Sequence, residues 1–283
     1  MKTLIAAADL LAATRGPNPP LLLDCSFDLA DPGAGERSWR EGHLPGAHYL
    51  HLDSDLAGAK LDASGRFRGR HPLPERTTFA ARLGGLGITP ACAVVCYDAQ
   101  GGPYAARAWW MLRWMGHADV AVLDGGVAAW RAAGGALVTD TPLPRAAAPY
   151  PSQAPALPTI DAQTLLSQLG QVRLVDARAG ERYRGEVEPL DKAAGHIPGA
   201  VNRFFKDNLA PDGRFKTAAQ LRSEWQPLLA GQSAADMVQQ CGSGVTACHN
   251  LLALAHAGLG DSVLYPGSWS EWSADPARPL AQG

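Results

Sequence analysis

The 283-residue chain is poor in cysteine, balanced in charge and without long apolar runs, and each shortage excludes something. Its five cysteines are an odd number with no paired spacing, which excludes a disulfide framework and leads to the expectation of a reduced, cytoplasmic protein. No histidine–cysteine cluster has zinc spacing, so no metal site is expected. Twenty-five Lys and Arg against 27 Asp and Glu leave a net charge of -2, with neither the basic footprint of a nucleic-acid binder nor a membrane-surface signal. No stretch approaches the roughly 20 apolar residues of a membrane span. Asp9 interrupts the apolar run of Met1 to Ala13, where Leu4, Leu10 and Leu11 suit a small amphipathic helix better than a cleaved leader. What is there in quantity is hydrophobic residue, 46%, enough for a real core in a chain long enough for two domains.

The two domains are legible as one unit written twice. Leu21-Leu22-Leu23-Asp24 is followed by Gly42-His43-Leu44-Pro45-Gly46-Ala47, and Val172-Arg173-Leu174-Val175-Asp176 by Gly195-His196-Ile197-Pro198-Gly199-Ala200. The histidines stand 153 positions apart and the aspartates 152. Val94-Val95-Cys96-Tyr97-Asp98, with a glycine-rich loop and Trp109-Trp110 behind it, parallels the stretch around Cys241. Asp124-Gly125-Gly126 with Trp130 parallels Pro266-Gly267-Ser268 with Trp272. A period this long means tandem domains and not a solenoid. Each half alternates short apolar runs with helical runs, so the expected fold class is α/β, each domain a parallel sheet flanked by helices. The boundaries expected are 1–140 for the first domain, a proline-rich extended linker over 141–158, and 159–283 for the second. Cys92 and Cys96 are expected in a buried strand.

The chemistry is expected at Cys241-Gly242-Ser243-Gly244-Val245-Thr246. A strand end lies before it, over Asp236 to Gln240, and a helix behind it, with Leu251, Leu252, Leu254 and Ala255 at helical spacing and Gly258 as the stop. Loop amides pointing inward and the positive end of a helix dipole both favour negative charge on a sulfur, which makes a nucleophile. Thr246 stands where the helix begins, its hydroxyl either bonding to the loop or capping the helix. In the first copy Asp98 stands in the cysteine's place, and a carboxylate there cannot hold a transferable sulfur. His43 and His196 sit in a turn that the inactive copy shares, so their role is structural, with hydrogen bonding inside the turn expected. Cys248, two helical turns beyond Cys241, and the recurring tryptophans 109, 110, 130, 269 and 272 are expected to pack.

Together these features resemble the rhodanese-type sulfurtransferases in their two-domain form, from about Leu21 to Trp272. The loop from Cys241 to Thr246 is similar to that of the mercaptopyruvate branch; the thiosulfate branch carries basic residues just after the cysteine. The resemblance implies a catalytic second domain, a non-catalytic first domain that helps to wall the site, and a site in the cleft between them. It implies double displacement through a Cys241 persulfide, with the amides of Gly242, Ser243, Gly244, Val245 and Thr246 around the sulfur. A small-molecule sulfur donor would be the first partner, 3-mercaptopyruvate being favoured over thiosulfate. Cyanide, a small thiol or a reduced, thioredoxin-like protein thiol would be the acceptor. No cofactor is implied, and a monomer is. Arg182 matches the arginine that grips the donor's anionic end, or is a surface arginine. The second arginine of the mercaptopyruvate branch, which usually lies between it and the Gly-His-Ile-Pro-Gly turn, is absent, leaving Arg184 or Lys192 as substitutes. Asp53 and His71 fall where that branch carries an aspartate and a histidine, implying a relay with Ser243 like that of a serine protease. On composition, Arg68-Gly69-Arg70-His71-Pro72 reads equally well as exposed polar loop.

Two rivals remain. A cysteine phosphatase needs a longer cradle and an arginine six residues after the cysteine, where Ala247 stands. A non-catalytic binding module suits the first half alone, because the second half keeps its cysteine.

Overall fold

The computed structural model describes residues 3–143, 148–151 and 154–283. The chain divides into two compact units: Met1–Ala57 with Pro74–Ala156 and Pro211–Phe215, and Gly58–Leu73 with Leu157–Ala210 and Lys216–Gly283. Chain order is thus broken twice, most consequentially at Gly58–Leu73, which comes early in the chain and folds into the second unit.

The first unit holds β1 (Leu4–Ile5), α1 (Ala7–Ala13), β2 (Leu21–Asp24), α2 (Ala34–Glu41), β3 (His48–Tyr49), α3 (Arg76–Gly85), β4 (Val94–Tyr97), α4 (Pro103–Trp114), β5 (Val120–Leu123) and α5 (Gly126–Ala132). Its five strands are all parallel, in the order β1-β5-β4-β2-β3, with Leu23 opposite Cys96 and Val94 opposite Val120. The central strands read LLLD, VVCY and VAVL, continuous apolar runs of the kind a parallel sheet requires when both faces are covered. Leu22, Leu44, Val95, Tyr97, Leu123 and Trp130 form the core on one side.

The second unit holds α6 (Ala162–Ser167), β6 (Arg173–Asp176), α7 (Gly180–Arg184), β7 (Val201–Asn202), α8 (Ala218–Leu229), β8 (Met237–Gln240), α9 (Ala247–His256), β9 (Val263–Leu264) and α10 (Ser268–Trp272). Its parallel order β7-β6-β8-β9 repeats the first sheet's β3-β2-β4-β5, and a parallel bridge from Thr159 to Leu264 stands where β1 pairs with β5. The α/β, duplicated architecture expected from the sequence is therefore the one observed. The helix behind Cys241 is buried along most of its length, as its composition ACHNLLALAH requires, and it ends just before Gly258.

Four expectations need correction. Leu4–Ile5 is not helix but an edge strand on β5, and the helix starts at Ala7; Met1 and Lys2 lie outside the described residues. The strand satisfies backbone groups that a lone helical turn would leave open. Cys96 is in buried β4, but Cys92 lies in the half-buried bend before it. Of the proline-rich stretch, residues 144–147 and 152–153 lie outside the described residues. The rest carries no helix or strand; its described residues up to Ala156 belong to the first unit, and Leu157 and Pro158 to the second. Tyr150 is buried, its amide donates to Ala80 O at 2.9 Å, and its hydroxyl meets His117 Nδ1 at 3.1 Å. The turn histidines bond outside their turns. His43 Nδ1 lies 2.7 Å from Trp39 O and His196 Nδ1 2.8 Å from Tyr183 O, and each ring stacks on the aromatic residue that supplies its carbonyl. The histidines thus bolt each turn to the helix before it. The buried tryptophans act alike: Trp130 and Trp272 donate Nε1–H to Ala136 O and Pro279 O, both at 2.9 Å.

The second unit opens on a capped helix, and the cap has a pH signature. Asp161 accepts from Thr164 N at 2.8 Å, and that backbone bond holds its carboxyl below the ordinary range. Replacing Asp161 with alanine is expected to cost about 1 kcal/mol near neutral pH. Because the folded pKa is depressed, the difference is whole above the ordinary aspartate range and disappears as pH falls through the folded value. Urea unfolding of both proteins across acid pH checks this; a gap that does not shrink contradicts it.

Candidate active site

The first copy shows what the strand–loop–helix turn is built to hold. Asp98 follows β4 directly and is buried. One carboxylate oxygen accepts from the amides of Gln100 at 2.9 Å and Gly102 at 2.8 Å, the other from Tyr104 and Ala105, both at 3.0 Å. Burial pushes the carboxyl up in pKa, and the four amides pull against it. The turn is a cradle for one negative charge.

In the second copy Cys241 follows β8 directly and is 1% exposed, so the loop and not bulk water surrounds its sulfur. Sγ accepts from Gly244 N at 3.1 Å and Ser243 N at 3.5 Å. The N-terminus of α9 follows, adding partial positive charge to the same side. Gly244 has φ +78° and its backbone crowds Pro266 O, so no side chain fits there. Val245 is buried, and Thr246 is the N-cap residue without a side-chain capping bond. Cys248, the second residue of α9 and so not two helical turns into it, is buried and donates Sγ–H to Gly244 O at 3.4 Å, which braces the loop from below.

The loop is held from outside by the start of α10. Trp269 N donates to Cys241 O and Ser270 N to Gly242 O, both at 3.0 Å. Ser268 adopts φ +54°, the left-handed region that serine rarely visits; its counterpart Gly126 has φ +53°. A side chain on Gly126 would collide with Asp98 O, whereas Ser268 Oγ donates to Tyr265 O at 2.9 Å and accepts from Cys241 N at 3.1 Å. The strain is held in place by two buried hydrogen bonds beside the candidate nucleophile.

The segment Gly58–Leu73 forms a loop clasped by Gly58 N to Pro72 O and Arg68 N to Lys60 O, both at 2.8 Å. Gly69, at φ +100°, brings its backbone so close to Gly267 that an added Cβ would lie 2.7 Å from Gly267 O, and Arg70 N donates to Ser270 Oγ at 3.0 Å. This docking delivers the next two side chains. His71 is buried with Nδ1 2.8 Å from Ser243 Oγ, so two residues distant in sequence share one proton position. Arg70 reaches the loop from the same side. A Cβ on Gly242 would lie 2.9 Å from Arg70 Nη2 and 3.3 Å from Arg182 Nη1.

The structure thus gathers Cys241, Gly242, Ser243, Gly244, Val245, Thr246, His71 and Arg182 in one unit. Asp53 belongs to the first unit, in the turn after β3, where its amide donates to His51 Nδ1 at 3.1 Å. Neither suggested substitute for the second arginine is at the loop: Arg184 makes an exposed pair with Glu186 at 2.7 Å, and Lys192 is exposed. Sequence reasoning missed Arg70, because the search was confined to the stretch after Arg182. It also missed Ser268, although the alignment of Pro266-Gly267-Ser268 with Asp124-Gly125-Gly126 carried that signal. A cavity of about 480 Å³ in the first unit, lined by Trp39, His48, His51 and Arg82 among others, holds none of these candidates.

The profile of the rhodanese-like domain matches residues 6–133 and again 161–275. The chain is 48% identical, over 99% of its length and 98% of the other's, to a Pseudomonas aeruginosa protein named "Probable 3-mercaptopyruvate sulfurtransferase". It is 33% identical, over 93% of its length and 88% of the other's, to thiosulfate sulfurtransferase of Mus musculus. The solved structure of 3-mercaptopyruvate sulfurtransferase from Leishmania major superposes with a TM-score of 0.83 at 30% identity, over 96% of this chain and 74% of that one.

Ser268 offers a test of the brace. Ser268→Ala keeps the left-handed backbone and loses both bonds, leaving Cys241 N and Tyr265 O buried without partners, and is expected to cost about 1–3 kcal/mol. Ser268→Gly loses the same bonds but relaxes the backbone, and is expected to fall between the two. Denaturant midpoints rank the three proteins; an alanine variant as stable as the parent removes the argument.

Proposed function

The chain belongs to the rhodanese-like domain family, and on that footing we propose a sulfurtransferase that moves sulfur from 3-mercaptopyruvate, through a persulfide on Cys241, to a thiol or cyanide. The observation that carries the reading is the pair of cradles: the turn whose amides donate to the Asp98 carboxyl in the first copy presents its amides to a sulfur at Cys241 in the second.

Cys241 thiolate attacks the donor's sulfur, forming an S–S bond. The donor's C–S bond breaks, and its electron pair leaves as the enolate of pyruvate, which takes up a proton. Ser243 Oγ, 2.8 Å from His71 Nδ1, is the proton carrier within reach of the loop. The acceptor thiolate or cyanide then attacks the outer sulfur, and the Cys241 thiolate leaves. Donor amides at 3.1 and 3.5 Å from Sγ stabilise the anion at both ends of the cycle. Built this way, the reading uses residues of the second unit alone.

Two features favour mercaptopyruvate. Gly242 and Ser243 bring no cation to the reacting sulfur, and the nearest cations stand to one side of the loop, where a carboxylate distant from the transferred sulfur can meet them. Thiosulfate is the second reading, favoured by the fact that there are two such cations and not one. A thioredoxin-like protein thiol as acceptor, a monomeric state and a cytoplasmic setting complete the proposal; among the described residues no helix is long and apolar enough to cross a membrane. With Asp98 filling its cradle, the first unit suits a non-catalytic role.

Cys241→Ser is expected to abolish sulfur transfer while leaving the unfolding transition in place; undiminished turnover would end the proposal. Arg182→Ala is expected to raise KM for mercaptopyruvate about tenfold with kcat little changed, since it removes a charge-assisted anchor. Comparing transfer to cyanide from mercaptopyruvate and from thiosulfate at matched concentrations decides the donor. A clear preference for thiosulfate selects the second reading.

A further inference from the structure

A charged network runs through the second unit, and Glu188 sits at its centre. Its Oε1 accepts from Arg182 Nη2 at 2.6 Å and from the amides of Leu190 at 3.1 Å and Asp191 at 3.2 Å. Its Oε2 accepts from Arg182 Nε at 3.3 Å and from Arg178 Nη1 at 3.4 Å. The Glu188 side chain is only 3% exposed, and that of Arg178 1%. Arg178 in turn gives Nε and Nη2 to Asp176 and Nη2 to Gly195 O at 2.7 Å. Its guanidinium lies over the ring of Trp269, whose amide donates to Cys241 O. In the first copy, at the same offset that relates Asp24 to Asp176, Ser26 stands in the place of Arg178. This arginine therefore belongs to the cysteine-bearing copy alone.

We propose that Glu188 determines donor selectivity: it cancels the charge of the guanidiniums joined to it, so that a donor with one negative charge is accepted over a dianion. The inference rests on the sulfurtransferase reading above and adds to it a determinant of donor charge. Three guanidiniums, of Arg70, Arg178 and Arg182, are joined to three carboxylates, of Asp176, Glu188 and Asp191. Their charges sum to zero, in a place where burial limits screening by water and salt. Arg182 still turns Nη1 toward Gly242, so it can bond an anion, but it brings no surplus charge with it. A second negative charge on the donor then gains little from the network while giving up its hydration. Glu188 holds Arg182 at two of its nitrogens, so among the three carboxylates its charge acts most directly on that anchor.

The test is transfer to cyanide by the full chain from mercaptopyruvate and from thiosulfate. The readout is the ratio of the two kcat/KM values, whichever donor the parent favours. Glu188→Gln, which keeps an acceptor oxygen and loses the charge, is expected to raise kcat/KM for thiosulfate about tenfold and to leave that for mercaptopyruvate level or lower. Glu188→Asp, which keeps the charge, is expected to hold the parent's ratio. A purely structural role would lower transfer from both donors together, so parallel losses or an unchanged ratio in Glu188→Gln overturn the proposal. A ratio that shifts as far in Glu188→Asp as in Glu188→Gln makes the effect one of shape and overturns it too. Should Glu188→Gln not fold, Asp191→Asn removes a charge from the same network and is expected to shift the ratio the same way; an unchanged ratio there overturns the proposal equally. The underlying reading is checked separately, by mass measurement of the parent protein: if Cys241 gains no sulfur from either donor, the function fails and not merely the role of Glu188.

Discussion

Everything in this protein's chemistry depends on one backbone device: a strand that ends in a tight turn and feeds a helix, so that several amide N–H groups converge on one buried atom. Convergent amides make negative charge cheap to hold without any cation nearby. The first copy fills the device with a carboxylate and the second with a sulfur. Because the amides belong to the main chain, the side chain at the centre could be exchanged while the loop's shape endured. The duplication offers a comparison within the same molecule: at Asp98 four such amides donate to the two oxygens of one buried carboxyl group.

The two copies differ where chemistry demands it. At Asp98 the cradle is closed by bonds to both carboxylate oxygens, and its neighbour Gly126 presses against the carbonyl with no room for a side chain. At Cys241 that neighbour is Ser268, whose hydroxyl ties the cysteine's own amide to the next strand's end. A residue in a disfavoured backbone region, held by two hydrogen bonds, is a cost that the first copy does not carry.

The α/β class, the duplication and the strand–loop–helix around Cys241 were legible because they are local: apolar runs of strand length, turn glycines, and matched offsets between the halves. The partners of that loop were less so. His71 was reached only through resemblance, since a histidine in a basic loop has no signal of its own. Arg70, beside it, was passed over because nothing in a linear reading joins position 70 to position 242. That connection is made by Gly69 lying against Gly267, a contact that exists only after folding. The edge strand at Leu4–Ile5 was misread because its two residues gain their identity from pairing with β5 and not from their own periodicity.

The loop of residues 58–73 has a consequence for how the chain reaches its native state. His71 and Ser243 are 172 residues apart, and Arg70 and Ser270 are 200 apart. Closing such spans is entropically expensive and slow, and in synthesis the loop emerges well before the sheet it joins. Reciprocally, Phe215 N bonds Asp124 in the first unit, 91 residues back. Each half therefore waits on a piece encoded in the other. The surroundings of Cys241 are complete only once nearly the whole chain has been made, so a nascent or truncated protein carries that cysteine without His71 and Arg70 beside its loop. Each of the two matching units thus depends on a segment encoded within the other's stretch of the chain.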